Sequence, residues 1–301
     1  MALGSNHVTV TTAATFIPEV WSDEIVAAYK KNLVAANLIK KMNFKGKKGD
    51  TVHIPAPTRG NASAKSANTQ VTLIAATESE KTVSINQHWE YSRMIEDIVE
   101  AQALASLRQF YTDDAGYALA RKVDSTLVQL GRGANSGDGT ADYTGAYSGA
   151  DGTTAYTGTA GALTDAAIRR SIQRLDDNDV PMDGRFLIVP PSTRNTLMGI
   201  ARFTEQAFVG ESGGGNTIRN GEVGNVYGIP VFVTTNADTA TDGDRICLLA
   251  HKDFAVLVEQ MGVRTQTQYK QEYLGTLFTA DVLFGADELR DGSAVALAVP
   301  A

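Results

Sequence analysis

Residues 44–89, FKGKKGDTVHIPAPTRGNASAKSANTQVTLIAATESEKTVSINQHW, have two β-prone ends around a polar centre of small residues. The ends, DTVHIP and KTVSINQHW, are rich in the β-branched residues that favour strands. Large apolar side chains are few, and an isolated two-stranded ribbon is only marginally stable in water. The sequence therefore predicts a long β-ribbon with an irregular tip that needs a partner surface.

The composition is that of a globular chain with a sizeable core. The 301 residues are 43% hydrophobic and 20% charged, with a formal net charge of −7. This acidic balance argues against a dedicated nucleic-acid binder, which needs a basic face. Cys247 is the only cysteine, which excludes an intrachain disulfide and a zinc site built from several cysteines. No apolar run reaches the length of a membrane span, and we expect a soluble protein made in a reducing compartment.

One helix is predicted before the ribbon and another after it. Residues 1–14 lack periodicity and are predicted to form an arm. The first helix follows in residues 15–41, where apolar residues from Ile17 to Leu33 recur every four positions. Trp21 lies on this stripe, where we expect a core or interface anchor. The second and longest helical pattern runs from Met94 to about Leu130, with no proline to interrupt it.

Residues 131–161 contain an internal repeat. DGTADYTG at 138–145 recurs as DGTTAYTG at 151–158, in a region almost free of aliphatic side chains. A calcium loop would need a downstream glutamate that is not at the required spacing. We therefore predict a surface insertion with two similar turns. An alternative function that uses the Thr/Gly repeat is that of a β-rich surface adhesin.

From Leu163 onward, helix and strand patterns alternate. RFLIVP predicts a buried strand, Thr164 a helix cap, and DRICLLA a buried strand that contains Cys247. In GEVGNVYGIPVFV (221–233), glycines precede a β-prone run, whereas a phosphate-binding glycine loop lies between a strand and a helix. The segment thus predicts a turn that feeds a strand. The fold class is α+β, a mixed chain with a projecting β-arm.

One constellation resembles a catalytic site. GESGG (210–214) matches the nucleophile elbow of serine hydrolases, and an aspartate and His251 follow in the required order. The sequence after Ser212 is glycine-rich and cannot open the helix that the elbow needs. We predict no catalytic residue, no cofactor and no metal site. The alternative is a serine hydrolase that uses Ser212 and His251, with Asp238, Asp242 or Asp244 as the acid.

Basic residues cluster around the ribbon in this acidic chain. They indicate a solvated helix end, a weak phosphate contact, or an arm that lies on an acidic surface. We favour the last reading, with the acidic surface on another copy of the chain, because charge complementarity sets the register between subunits. The inter-subunit contacts predicted from this reading and the apolar stripe are Lys47, Lys48, Arg59, Lys65 and Trp21. The acidic residues predicted on the long helix are Glu96, Asp97, Glu100, Asp113 and Asp114.

Taken in order, these segments resemble the major capsid (coat) protein of tailed bacteriophages, which has the Hong Kong 97-type fold, and are most similar to the coat proteins of short-tailed phages. TFIPEVWSDEIVAAYKKNLVAANLIKK (15–41) and VYGIPVFVTTN (226–236) are the most specific motifs, and the resemblance covers essentially the whole chain. It implies an N-terminal arm and first helix (1–44), an extended ribbon (45–90), a spine helix with the Gly/Thr-rich insertion in a peripheral domain (91–162), an apical domain (163–245) and C-terminal strands that return to the peripheral domain (246–301).

The resemblance also implies a function and its partners. It predicts a structural, non-enzymatic subunit that self-assembles as hexamers and pentamers into an icosahedral head around double-stranded DNA. Expected partners are other copies of the chain, together with scaffolding, portal and decoration or cement proteins. The packaged DNA would be held by weak, non-specific contacts, with no membrane involved. The expected location is the virion capsid, and the host cytoplasm during assembly.

Overall fold

Two β-sheets, a two-stranded ribbon and one long helix organise the described part of the chain. The computed structural model describes residues 34–57, 60–71, 73, 78–98, 107–134, 143, 145–200 and 224–301. The α-helices are α1 (Ala35–Leu38), α2 (Leu107–Gln129), α3 (Asp165–Asp177) and α4 (Pro191–Met198). Short 3₁₀ turns lie at Leu130–Arg132 and Asp291–Ser293. The strands are β1 (Lys40–Asn43), β2 (Thr51–Pro57), β3 (Glu78–Ser84), β4 (Gln87–Glu96), β5 (Tyr147–Ser148), β6 (Arg185–Val189), β7 (Asn225–Val226), β8 (Ile229–Val233), β9 (Arg245–His251), β10 (Ala255–Lys270), β11 (Gly275–Glu288) and β12 (Ala294–Val299).

The larger sheet has six strands in the order β5-β12-β9-β6-β8-β7. Its two faces are both buried, as the unbroken apolar runs of its central strands predict. Along β12 the alternation is one of size: Ala294, Ala296 and Ala298 face the core that includes α2, and the valines and leucine between them face the core that includes α3 and α4. The small residues let the long helix approach the sheet closely. The predicted buried strands RFLIVP and DRICLLA are confirmed.

The smaller sheet has four strands in the order β1-β10-β11-β4. β10 and β11 form a long hairpin, with a register shift between Glu259 and Arg264. β4 pairs antiparallel with β11 from Gln87 to Glu96. The paired ribbon strands β2 and β3 extend from the beginning of β4, in register from Thr51–Ser84 to Pro57–Glu78. The ribbon predicted from the sequence is therefore confirmed for the residues that the structure describes.

The predicted start of the long helix at Met94 is wrong. Residues 87–96 form β4, residues 97–98 are helical, and the long helix α2 is described from Leu107. Pairing of β4 with β11, which lies about 190 residues downstream in the chain, outweighs the local helical pattern.

The long helix also anchors the first described residues of the chain. The buried Asp124 carboxylate accepts hydrogen bonds from the Ala35 amide (2.8 Å) and the Asn236 side chain (2.9 Å).

The repeat region is anchored in the core, so its prediction as a surface insertion is wrong for its buried residues, whereas the turn at residues 150–155 is mostly exposed. Tyr143 and Tyr156, which occupy the same position in the two repeats, are 1% and 4% exposed. β5 pairs parallel with β12. Each tyrosine hydroxyl donates to an aspartate near the start of β9, Tyr143 to Asp238 and Tyr156 to Asp244. Aromatic area and these hydrogen bonds replace the aliphatic side chains that the segment lacks.

The glycine-rich stretch ends in a turn that feeds a strand, as predicted. Tyr227 and Gly228 both have positive φ and join β7 to β8 as a two-residue hairpin turn. Positive φ at both central positions is the mark of a type I′ turn. Residues 201–223, which include Ser212, lie outside the described part of the chain, as do residues 1–33 and Arg59.

Candidate assembly surfaces

The base of the ribbon is fixed to the body of the protein. Val83 and Ile85 pack with Val256 and Val258 of β10 in a separate apolar cluster. The Gln260 amide nitrogen donates to the backbone carbonyls that precede β2, 3.0 Å to Lys47 and 2.9 Å to Gly49. These contacts set the direction in which the ribbon leaves the body.

The tip of the ribbon has no such support from the described residues. Every residue from 60 to 71 is exposed. The tip also presents apolar side chains to water, since Val71 is 62% and Leu73 is 89% exposed. The Thr69 hydroxyl donates to the nearby Ser66 carbonyl, a bond within the tip. A fixed base and an uncovered tip are the properties of an arm that reaches another molecule.

The predicted contact residues fall on different parts of the ribbon. Lys47 lies at its base with the ammonium 5.3 Å from the centre of the Phe44 ring. Lys48 is exposed beside it, and Lys65 is exposed at the tip. Trp21 and Arg59 lie outside the described residues. Of the predicted contact residues that the structure describes, one therefore lies at the tip and two lie at the base.

A second exposed surface lies at the end of the β10–β11 hairpin, and the sequence reasoning missed it. Ile98, Tyr269, Tyr273 and Leu274 are 48–66% exposed. We call these four residues the hairpin-tip patch. The Asp97 amide donates to the Leu274 carbonyl and the Tyr269 hydroxyl donates to the Asp97 carboxylate (2.8 Å), so the patch is ordered. The signal was the run of large side chains in YKQEYLG (269–275), next to a polar strand.

The hairpin that carries this patch is braced by an ionic cluster across three strands. Asp281 of β11 is 7% exposed. It accepts two 2.9 Å hydrogen bonds from the Arg264 guanidinium on β10 and lies 3.1 Å from His88 Nε2 on β4. The hydrogen bonds from Arg264, with a contribution from His88, lower the pKa of the Asp281 carboxyl. The cluster stiffens the hairpin where its register shifts.

The described members of the possible hydrolase site are engaged elsewhere. His251 is buried; its Nε2 lies 2.8 Å from the Asp183 carbonyl and its Nδ1 accepts from the Asp253 amide. Asp244 immediately precedes β9 and His251 ends it, which separates them by roughly 20 Å along the strand. Asp238 is held by Arg132 as well as by a tyrosine. Both ring nitrogens of His251 are therefore engaged by backbone groups of nearby turns and not by a nucleophile.

Other sites considered from the sequence are structural where they are described. The Asp151 carboxylate accepts hydrogen bonds from the Thr153 and Thr154 amides and the Thr154 hydroxyl, which closes a turn. This lowers the pKa of Asp151 to about 2. Among the described residues, no group of three or more His, Cys, Asp or Glu side chains is arranged to hold a metal. No helix within the same residues is long and apolar enough to span a membrane.

Comparisons with known proteins agree with this architecture. The family model described as phage capsid protein matches residues 90–296. A solved structure from Mycobacterium phage Che8 has a TM-score of 0.76 at 23% identity, covering 94% of this chain and 97% of that one. The capsid structure of cyanophage P-SCSP1u has a TM-score of 0.75 at 20% identity, covering 99% and 96%. The mature capsid of bacteriophage PhiM1 has a TM-score of 0.71 at 13% identity, covering 94% and 92%.

A comparison with curated proteins finds no match. The structural matches confirm the expected Hong Kong 97-type fold, and the family match covers more than half of the chain. This chain belongs to the phage capsid protein family and is a structural major capsid protein of the virion.

Proposed function

We propose that copies of this chain close into the icosahedral head of a tailed phage, as hexamers and pentamers, with the ribbon of each copy lying on a neighbour. The observation that carries this is the exposed tip at residues 60–71 on a base fixed to the body. Ordering such a tip costs about 1–2 kcal/mol per residue in backbone entropy. Contact with a neighbouring copy offsets that cost, because it covers Val71 and Leu73.

We propose that Lys47, Lys48 and Lys65, with Arg59 and Trp21, contribute to these contacts. Their partners on the neighbour are carboxylates at the end of β4 and along α2. Glu96, Asp97 and Asp113 are exposed there, and Asp114 accepts a hydrogen bond from the Tyr91 hydroxyl. Glu100, the remaining predicted acid, lies outside the described residues. Opposite charges at the rim would set register more than affinity.

The five predicted segments are proposed as functional regions rather than separate folding units. The six-stranded sheet combines strands from residues 163–245 and 246–301 with β5 from residues 91–162. In this proposal, the ribbon (45–90) and the N-terminal segment (1–44) extend from one subunit to its neighbours. The spine helix and the sheets supply the rigid body.

The remaining proposals concern what surrounds the shell. Assembly takes place in the host cytoplasm, with scaffolding, portal and decoration proteins as further partners. Double-stranded DNA is enclosed without sequence reading, since a chain of net charge −7 offers only scattered phosphate contacts. Any DNA affinity should therefore be weak and steeply salt-dependent.

We also propose that the protein is not an enzyme. The engagement of both His251 nitrogens supports this, because a hydrolase needs one of them for its serine. A fluorophosphonate probe should not label Ser212 above the level of a Ser212→Ala variant. Labelling that depends on both Ser212 and His251 would establish the hydrolase alternative instead.

The assembly proposal is tested by replacing residues 60–71 with a Gly/Ser segment of equal length. We expect folded subunits that no longer form closed shells, as seen by electron microscopy and sedimentation. A matched pair tests the charge: Lys65→Arg should keep shell yield, and Lys65→Glu should lower it. Closed particles of normal size from the Gly/Ser variant would contradict the proposal.

A further inference from the structure

The longest strand of the smaller sheet, β10, has one edge that is covered only at its beginning. On the side away from β11, β1 pairs with β10 only as far as Glu259. Beyond the register shift, β10 pairs with β11 without interruption from Arg264 to Lys270. Among the described residues, no strand pairs with the other edge of residues 264–270. We call this segment the open edge of β10.

The open edge has the properties that favour the addition of another strand. An uncovered edge presents backbone N–H and C=O groups that can pair with a strand of another chain. Residues 263–269 are all exposed in the described structure. The sequence TQTQY (265–269) contains no proline and no charge, which are the usual features that block strand addition, and threonine and tyrosine favour β-structure.

The ribbon has one edge that matches it. The two ribbon strands have seven residues each, the same number as the open edge of β10. In β2, Pro55 and Pro57 lack an amide hydrogen, and because they are two positions apart their nitrogens point to the same edge. Proline is accommodated in a strand when its nitrogen faces away from the paired strand. The outer edge of β2 therefore lacks two donors, and the outer edge of β3 is the one that can pair further.

The end of β3 is already held by its own subunit. Val83 packs in the apolar cluster that contains Val256, near the start of β10. A Cβ at Gly285 of β11 would lie 2.6 Å from the Ser84 carbonyl oxygen, so the ribbon crosses β11 there in backbone contact. These contacts fix the base of the ribbon roughly 20 Å along β10 from the open edge of the same chain. They leave residues 78–82 of β3 for a neighbour.

The charges favour one orientation of the pairing. Glu80 of β3 has an exposed carboxylate. At the open edge, Asp281 holds the Arg264 guanidinium with two hydrogen bonds, and Lys270 ends the strand. Antiparallel pairing with Glu80 opposite Gln268 places Glu80 diagonal to Lys270, within reach of the long lysine side chain. Parallel pairing would place Glu80 near Arg264, where the cation already has its carboxylate.

We propose that β3 of the ribbon adds as an antiparallel strand to the open edge of β10 in a neighbouring copy. The ribbon and the neighbour's β10, β11 and β4 then form one five-stranded sheet across the subunit boundary. Main-chain hydrogen bonds provide the contact, which explains how a ribbon with few apolar side chains can bind. This inference rests on the proposed role of the ribbon and identifies where on the neighbour it lies.

A pair of cysteines tests the contact in assembled particles. Paired residues on adjacent strands have Cα atoms about 4.5–5.5 Å apart, within the range that a disulfide spans. In Glu80→Cys/Gln268→Cys, oxidation of shells should give ladders of linked chains on a non-reducing gel. The matched control His53→Cys/Gln268→Cys places the first cysteine on β2, one strand further away, and should give no ladder. Shells without a ladder from the Glu80 pair, or a ladder from Gln268→Cys alone, would overturn the proposal.

Two further measurements keep the proposal testable if the cysteine variant does not assemble. In the parent chain, hydrogen exchange of a peptide covering residues 263–270 should slow by roughly 10-fold or more on assembly, because the outward amides become bonded. Unchanged exchange would contradict the proposal. Lys270→Glu should raise the subunit concentration needed for shells by roughly 2-fold or more, and adding Glu80→Lys to the same chain should restore it. A double variant that assembles no better than Lys270→Glu would count against the pairing.

These outcomes separate the strand addition from the assembly proposal. If the Gly/Ser variant of residues 60–71 loses shells while exchange at residues 263–270 does not change in parent shells, the ribbon binds a neighbour elsewhere and only the strand addition is refuted. If the Gly/Ser variant forms normal shells while the cysteine ladder appears, the strand addition stands and the proposed role of the tip is refuted.

Discussion

Replacing Gly285 with alanine should destabilise the protein by forcing the ribbon away from β11. The new Cβ would lie 2.6 Å from the Ser84 carbonyl oxygen, against an ordinary contact distance of about 3.5 Å. The obstacle is backbone, not a mobile side chain, so β3 or β11 must move by about 0.9 Å. Overpacking of this kind costs about 1–3 kcal/mol in the free energy of unfolding. Urea unfolding of the unassembled chain measures that cost.

The same substitution at Gly116 is the matched control. Gly116 lies inside α2, and a Cβ there would meet no atom within 4 Å. Alanine should therefore stabilise the protein by about 1 kcal/mol, through the helix preference alone. The two alanine variants should thus differ by about 2–4 kcal/mol with opposite signs. If Gly285→Ala matches or exceeds the parent chain in stability, the close crossing of ribbon and body is incorrect.

Three other changes test separate parts of the structure. Cys247 is fully buried and burial raises the pKa of its thiol to about 12, so a thiol reagent should label it only as fast as the chain unfolds; rapid labelling of the native protein would contradict its place in β9. Tyr143→Phe removes a hydrogen bond to Asp238 and should cost about 1–2 kcal/mol in urea unfolding, whereas an unchanged stability would contradict the buried network. Serine at both Val71 and Leu73 should leave the stability of the free chain within about 0.5 kcal/mol but lower the yield of shells; unchanged yield would remove the tip from the interface.

Features that depend on local sequence were predictable. The ribbon follows from β-branched ends around a polar centre, and Thr164 caps α3 through its hydroxyl, which accepts from the Ala167 amide at 3.2 Å. β6 follows from its continuous apolar run, since all five of its residues are buried. In each case, a few neighbouring residues contain the physical reason for the structure. The resemblance to capsid proteins was also readable, because it depends on the order of such elements.

Features that depend on distant partners were not predictable. The last three residues of β4, from Met94 to Glu96, were predicted as the start of the helix, because their pairing with β11 cannot be read from the local sequence. The repeat was predicted as a surface insertion because its own residues do not reveal the hydrogen bond between Tyr143 and Asp238, which lies 95 residues further along the chain. The open edge of β10 carries no signal in the sequence either, because it depends on how far β1 pairs along that strand. Tertiary contacts decide these positions.

A cryo-electron microscopy reconstruction of assembled particles tests the central claim most directly. It should show the ribbon strands Thr51–Pro57 and Glu78–Ser84 lying on a neighbouring copy, with Val71 and Leu73 covered and Lys65 near carboxylates of that copy. The β2–β3 base should keep the position against β11 described above. A shell in which the ribbon tip contacts only its own chain, or remains exposed to solvent, would contradict the account.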